Sequence, residues 1–276
     1  IVSPRGRINM HNTPGTDKDR NLSLKYKILI RIAVLGATLG LALTIGATGA
    51  VFSAYHYALP NLPDAATVRD IPLEVPLRVY SRDGRLIQEI GERRRIPVTW
   101  EAVPDYVVHA FVAAEDKRFF EHGGIDPIAL ARALVVATVS GRSARGTSTL
   151  TQQLTRDYFL SRDRTIVRKL REAFLAYKIE QEFTKEEIMT LFLNKMFFGQ
   201  RAYGVGAAAQ IYFDRDLAEL NIAEAATLAG VLPAPSRANP VNGPEYAKRR
   251  RSYVLGRMLD LGYIDDAQYR EAMDHP

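Results

Sequence analysis

AFVAAEDKRFFEHGG, running from Ala110 to Gly124, sets the reading of this chain. At helical spacing, Val107, Phe111, Glu115, Phe119 and His122 fall along one stripe. The stretch predicts a helix over 104–121 with an acid set into its apolar line. A carboxylate in a partly desolvated cleft has its neutral form favoured and its pKa raised. That is the condition of a general base or acid working near neutral pH. The structural alternative is a kink, or a buried Glu tied to a nearby Arg, and this stretch alone leaves it open.

Working outward, helical periodicity dominates the chain from Pro104 onward. Besides 104–121, it predicts helices over 126–140, 147–159, 164–183, 184–195, 203–212, 221–231, 244–261 and 265–274. Asp126-Pro127 reads as an N-cap followed by the first helical position. Thr184 with Glu187 reads as a capping box. Leu232 to Ser236 and Asn239-Pro240 break helix. Upstream, residues 77–98 alternate on either side of Arg82-Asp83-Gly84 and predict a small β-hairpin. Four prolines in 58–76 predict an extended stalk, and residues 1–24 read as a disordered tail. The fold class is mainly α, with a minor β element.

Two further segments carry candidate chemistry. In RGTSTLTQQLTRDYF (Arg145–Phe159), Gly146 lends flexibility. Ser148, Thr149, Gln152 and Gln153 then lie beside an apolar face of Leu150, Leu154 and Tyr158. Hydroxyls and amides so placed suit a hydrogen-bonding wall for a sugar or a pyrophosphate; a polar surface helix is the alternative. In RTIVRKLREAFLAYKIEQEF (Arg164–Phe183), Glu172 lies within an apolar face. Arg168 precedes it by four residues and Lys169 by three. That spacing fits a plain helical ion pair, or a carboxylate held ionised while basic side chains face an anion.

Charge favours the second option. Residues 142–171 carry eight basic side chains, at Arg142, Arg145, Arg156, Arg162, Arg164, Arg168, Lys169 and Arg171, against Asp157 and Asp163. Arg-rich runs interleaved with hydroxyls fit phosphate recognition. The whole chain has a net charge of +6 and no cysteine, so thiol nucleophiles and thiolate metal sites are excluded. Ile32 to Tyr55 contains no charged residue and is long enough to cross a bilayer. Lys and Arg cluster before it, at Arg5, Arg7, Lys18, Arg20, Lys25, Lys27 and Arg31; only Arg69 occurs in the twenty residues after it. The positive-inside rule then puts the N-terminus in the cytoplasm and the rest outside, away from nucleic acid and ATP. Lipid-linked phosphate becomes the leading anionic partner. The expected organisation is a tail over 1–27, a transmembrane helix over 28–54, a stalk and hairpin over 55–100, and a catalytic domain over 101–276.

These motifs resemble the peptidoglycan glycosyltransferases (family 51) of class A penicillin-binding proteins. EDKRFFEHGG is similar to the family's first signature, GTSTLTQQL to its second, RKLRE to its third and KEEIMTLFLN (Lys185–Asn194) to its fourth. RAYGVGAAAQIYF (Arg201–Phe213) matches the stretch beyond. The resemblance covers Ala50 to Ile264. It implies a lysozyme-like α-helical domain with a head and a membrane-proximal jaw, anchored in the bacterial inner membrane by a single span with its catalytic domain in the periplasm. It implies lipid II and the growing glycan strand as substrates, cell-wall synthesis proteins or activators as further partners, and no nucleic acid. Glu115 would be the general base and Glu172 the second carboxylate, assisting the leaving pyrophosphate. Asp116, Phe119 and His122 would support the site. Gly146, Ser148, Thr149, Gln152, Gln153, Arg156, Arg168, Lys169 and Asn194 would hold sugar and pyrophosphate. Arg156 stands where some members have Lys, which keeps the charge and changes the contact. A divalent cation (Mg or Mn) is the one cofactor the resemblance implies; no nucleotide or organic cofactor is expected.

Neither S-x-x-K nor K-T-G is present, so the chain as given is expected neither to cross-link peptides nor to bind β-lactams. It reads as a truncated piece or a monofunctional polymerase. Two rival functions are a lysozyme-type lytic enzyme and a catalytically silent membrane scaffold. Order in the 141–156 region is expected to be low without ligand, given Gly141, Gly146 and the polar run between them.

Overall fold

The computed structural model describes residues 17–58, 62–70, 76–91, 93–140, 148–159 and 165–275. The chain divides into two units, Ile1–Tyr57 and Ala58–Pro276. The described part of the first is one helix, α1 (Asp17–Ala58, continuing one residue past the boundary). Its apolar run Tyr26–Ala50 is 25 residues long and its side chains are exposed, so it is long and apolar enough to cross a membrane. The helix begins inside the stretch expected to be a tail. Pro14 and Gly15 are the last helix breakers before Asp17, and nothing beyond them interrupts the backbone. The expected tail residues 1–16 lie outside the described residues.

The second unit is mainly helical. Its first segment departs from the expected stalk. Residues 65–70 form a 3-10 turn (Ala65–Asp70) whose Ala65 and Val68 are buried in the core. Asp64 starts the turn: its carbonyl accepts from Thr67 N and Thr67 Oγ1, and its carboxylate from Ala66 N. The predicted hairpin is present as β1 (Leu77–Tyr80) paired antiparallel with β2 (Leu86–Ile90), with Leu77 opposite Ile90. Gly84 closes its turn at φ +80, where a side chain is disfavoured.

The helices follow as α2 (Asp105–Glu115), α3 (Pro127–Ser140), α4 (Leu150–Phe159), α5 (Ile166–Glu182), α6 (Lys185–Lys195), α7 (Val205–Phe213), α8 (Ile222–Val231), α9 (Pro244–Asp260) and α10 (Asp266–Asp274). A three-stranded sheet that periodicity did not predict joins β3 (Arg94–Arg95), β5 (Ala202–Tyr203) and β4 (Phe197–Gly199), in the order β3-β5-β4. Strands of two or three residues are too short to show a period of two.

Local chemistry sets the helix starts. The Asp126 carboxylate accepts from Ile128 N and Ala129 N, as the Asp-Pro reading expects. Thr184 and Glu187 form the predicted capping box, and Asn221 with Glu224 and Asp265 with Gln268 form two more. The core centres on α8, of which only Ile222 is not buried, packed against α2 and α9. Phe111 meets Phe192 and Phe198 edge to face at 6.3 and 6.0 Å. This packing fixes α2, and α2 carries the first candidate acid.

Candidate active site

Helix α2 does not run to residue 121; it stops at Glu115. Asp116 leaves helical geometry at φ −156, ψ 79. Its carboxylate is committed elsewhere. Oδ2 accepts from the backbone N of Leu150 at 3.0 Å and lies 2.9 Å from His122 Nε2. An ionised carboxylate only accepts, so Nε2 is the donor in that pair. The expected stripe therefore breaks: Phe119 and His122 belong to the loop after α2, and both are buried. Phe119 is a core residue, with the Lys185 ammonium 4.5 Å above its ring. Lys185 also donates to the His122 carbonyl at 2.6 Å and pairs with Glu180 at 2.7 Å. The fourth motif thus braces the loop of the first.

Ending the helix at residue 115 puts Glu115 at the rim of a cleft of about 390 Å³, whose wall also includes Asp116, Ser148 and Thr149. Gln153 Nε2 donates to Glu115 Oε2 at 2.9 Å. Burial pushes the Glu115 carboxyl above its ordinary pKa. The Gln153 hydrogen bond and the charges of Arg250 and Arg156 oppose that rise, and Asp116 adds to it. The net direction is up, as a base near neutral pH requires.

The second carboxylate sits on α5. Glu172 is 1% exposed. Arg168 pairs with one of its oxygens and Lys169 with the other, the latter at 2.8 Å. Lys169 Nζ also donates to Ser148 Oγ at 2.6 Å, which ties α5 to the residues entering α4. Burial lowers the Lys169 pKa, and the nearby charges of Arg168 and Arg156 lower it further. Arg156 is half-exposed and pairs with Asp157 at 3.2 Å.

Gly124 is the joint of these parts. At φ +87, a Cβ there would meet the Ala176 carbonyl oxygen of α5 at 2.6 Å. The Gly124 carbonyl accepts from Thr149 Oγ1 at 2.7 Å. Only a residue without a side chain lets the first-motif loop lie against α5 and hold the start of α4.

Three predicted contacts have other employment. Thr149 and Gln152 cap α4 reciprocally: Thr149 Oγ1 accepts from Gln152 N at 3.1 Å, and Gln152 Oε1 from Thr149 N at 3.2 Å. Asn194 clamps the backbone of Val98, donating to its carbonyl and accepting from its N–H, each at 2.8 Å. Asn194→Ala is accordingly expected to lower stability by about 2 kcal/mol through two orphaned backbone groups, read as a thermal shift of roughly 4–8 °C. Substrate KM of the folded protein should not change; a raised KM at unaltered melting temperature would make Asn194 a substrate contact. Residues 141–147 of the 141–156 region expected to be mobile, Gly146 among them, lie outside the described residues.

The sequence reading missed one wall of the site. Tyr253 and Arg257 of α9 line the cleft, and Arg250 is close enough for its charge to act on Glu115. Their spacing of three and four residues in RRSYVLGR (Arg250–Arg257) is a one-face helical pattern that a search limited to acids and hydroxyls passes over.

Among the described residues no three His, Asp or Glu side chains form a metal-ligand group. Both Glu172 oxygens already face cationic side chains.

Residues 83–259 match the family described as Transglycosylase. Penicillin-binding protein 1A of Escherichia coli (strain K12) is 51% identical over 221 residues, which is 80% of this chain and 26% of that protein. The protein of the same name from Vibrio cholerae serotype O1 is 46% identical over 226 residues, 82% of this chain and 27% of that one. A crystal structure of penicillin-binding protein 1A from Haemophilus influenzae superposes with a TM-score of 0.43 and 30% sequence identity, over 75% of this chain and 21% of that one. The chain spans about a quarter of the length of the curated relatives it matches.

Proposed function

Because the chain belongs to the transglycosylase family, the peptidoglycan glycosyltransferases related to Gram-negative penicillin-binding protein 1A, we propose that it polymerises lipid II into glycan strands. In this reading Glu115 takes the proton from the 4-hydroxyl of the acceptor sugar. That oxygen attacks C1 of the sugar at the lipid-linked end of the growing strand. The C1–O bond to pyrophosphate breaks, configuration inverts to a β-1,4 link, and undecaprenyl pyrophosphate leaves with the bonding pair. Arg168, Lys169 and Arg156 hold the pyrophosphate, and Glu172 keeps Arg168 and Lys169 in place. Asp116 and His122 position the base by ending α2 at Glu115. α1 anchors the chain in the inner membrane, with the basic N-terminal segment cytoplasmic and the second unit periplasmic.

One observation carries this reading beyond family membership. A single carboxylate with a raised pKa stands at a cleft beside a cluster of cations built around a second, buried carboxylate. A lytic enzyme has no diphosphate to hold and no use for that cluster. Incubation with purified lipid II separates the two: long new strands are expected, whereas shortened sacculi with no new strands would establish lysis. A parallel incubation with chelator is expected to give the same strand yield, following from the donor set around Glu172.

A further inference from the structure

Glu115 is the last residue of α2, so no further helical turn holds the base in place. Its placing depends on the loop that follows. That loop is fixed to α5 at two points one helical turn apart. Gly124 lies against the Ala176 carbonyl. His122 reaches Glu180 through Lys185: Lys185 Nζ donates to the His122 carbonyl at 2.6 Å and lies 2.7 Å from a Glu180 carboxylate oxygen. Glu180 Oε1 also accepts from Thr151 Oγ1 at 2.6 Å, which brings in α4. One ammonium therefore joins the loop of the base to the helix of the second acid and to the helix that carries Gln153.

The surroundings of this ammonium use all of it. Its donors find the His122 carbonyl and both Glu180 oxygens, and the Phe119 ring centre is 4.5 Å from Nζ. The Glu180 side chain is only 4% exposed. The stem of Lys185 starts from a fixed point as well. Lys185 is the first residue of α6, where Thr184 and Glu187 close the capping box. Phe192 of the same helix meets Phe111 of α2, one turn before Glu115. The contacts form a closed circuit: α2, the loop after it, Lys185, α6 and α2 again. Replacing a buried ion pair by apolar packing is often close to neutral, so stability alone does not account for a cation placed here.

We propose that Lys185 is a positioning residue for the transfer step: with Glu180 as its counter-ion, it holds the Glu115 loop in register with α5, so that the base and the cations around Glu172 address the same bound substrate. This rests on the polymerase reading above. Lys185 does not line the Glu115 cleft, so it acts through His122, Asp116 and Glu115 rather than by touching substrate. Misplacing a reacting group by about 1 Å can cost roughly 10²-fold in rate. A slack loop therefore lowers kcat, while the cations on α5 keep KM. It also admits water to Glu115, whose pKa is raised chiefly by burial, and lets that pKa fall toward its ordinary value.

The test uses the full chain in detergent with purified lipid II. Lys185→Met leaves the Glu180 carboxylate buried without its cation, so it should lower melting temperature and kcat together. Combining it with Glu180→Gln removes that orphaned charge, and the new amide can still accept from Thr151. In the paired variant the melting temperature should return to within a few degrees of wild type. Its kcat is expected to stay down by roughly 10-fold or more, with KM for lipid II changed less than about twofold. The acid limb of its kcat–pH profile should move to lower pH, because a better-solvated Glu115 ionises more readily. Lys185→Arg, which keeps the charge and the donors, should recover most of kcat. A kcat that recovers along with the melting temperature in the paired variant makes Lys185 purely structural and overturns the proposal. So does a loss carried by KM at wild-type kcat, or an acid limb that stays at the wild-type pH. Each of those failures leaves strand synthesis by the wild type intact; a wild-type chain that makes no strands overturns the polymerase reading itself.

Discussion

Glu115→Gln should reduce strand synthesis by roughly 10³-fold, the scale of a lost general base, and should raise thermal stability slightly at neutral pH. The second half follows from linkage. The Glu115 pKa is raised in the folded state, chiefly by burial. Between the ordinary carboxylate value and the raised one, the folded chain keeps a proton that the unfolded chain has released. Stability contributed by this group therefore falls as pH rises through that window, and above it the cost is constant. Glutamine has no proton to lose and can still accept from Gln153. Melting curves of wild type and variant should diverge as pH rises from about 4.5 and then run parallel, with the variant higher. Strand synthesis by the wild type should rise with pH over the same window, since only the ionised acid can accept a proton. A variant that polymerises at the wild-type rate would remove Glu115 from the mechanism.

Glu172→Gln should lower activity and stability together. Its carboxylate is buried between Arg168 and Lys169. Removing the charge leaves two cations close together with Arg156 nearby, and breaking a buried pair costs about 3 kcal/mol. The Lys169 pKa, already depressed by burial and by those two arginines, should fall further, so a larger fraction of Lys169 is neutral when pyrophosphate must be held. We expect a drop of roughly 10²-fold in kcat/KM, typical of losing a preorganised electrostatic contact. Loss of stability with wild-type kcat/KM would make the cluster purely structural. Ionic strength gives a second readout: the Lys169 contact is half-exposed and should weaken with salt, whereas the buried side of Glu172 should not.

Much of this arrangement was legible from residue order. Helical periods placed α3 to α10 within a few residues, because each has an apolar face and most have a capping residue. Glu115 stood out as an acid in an apolar line, and Glu172 as an acid three and four residues after cations. What periodicity could not supply was where α2 ends. That depends on Asp116 being drawn to His122 and to Leu150, thirty-four residues away. That Thr149 and Gln152 also cap α4 was not legible, because a capping box and a polar wall share the same residue types. The α9 wall was missed because Arg250, Tyr253 and Arg257 acquire meaning only once α9 is packed beside α2. The three-stranded sheet and the buried 3-10 turn at Ala65–Asp70 were likewise products of tertiary contact rather than local pattern.

Gly124 has a consequence for how such an enzyme can change over generations. It is wedged against the α5 backbone while its carbonyl holds Thr149. The loop that ends at the base and the helix that bears the second acid therefore share one immovable hinge pin. A lineage under pressure from an inhibitor lodged between the two acids cannot widen one end of the groove without dislodging the other. Escape routes are confined to the rim, at exposed positions such as Tyr253 on α9, where a substitution alters what fits without moving the acids.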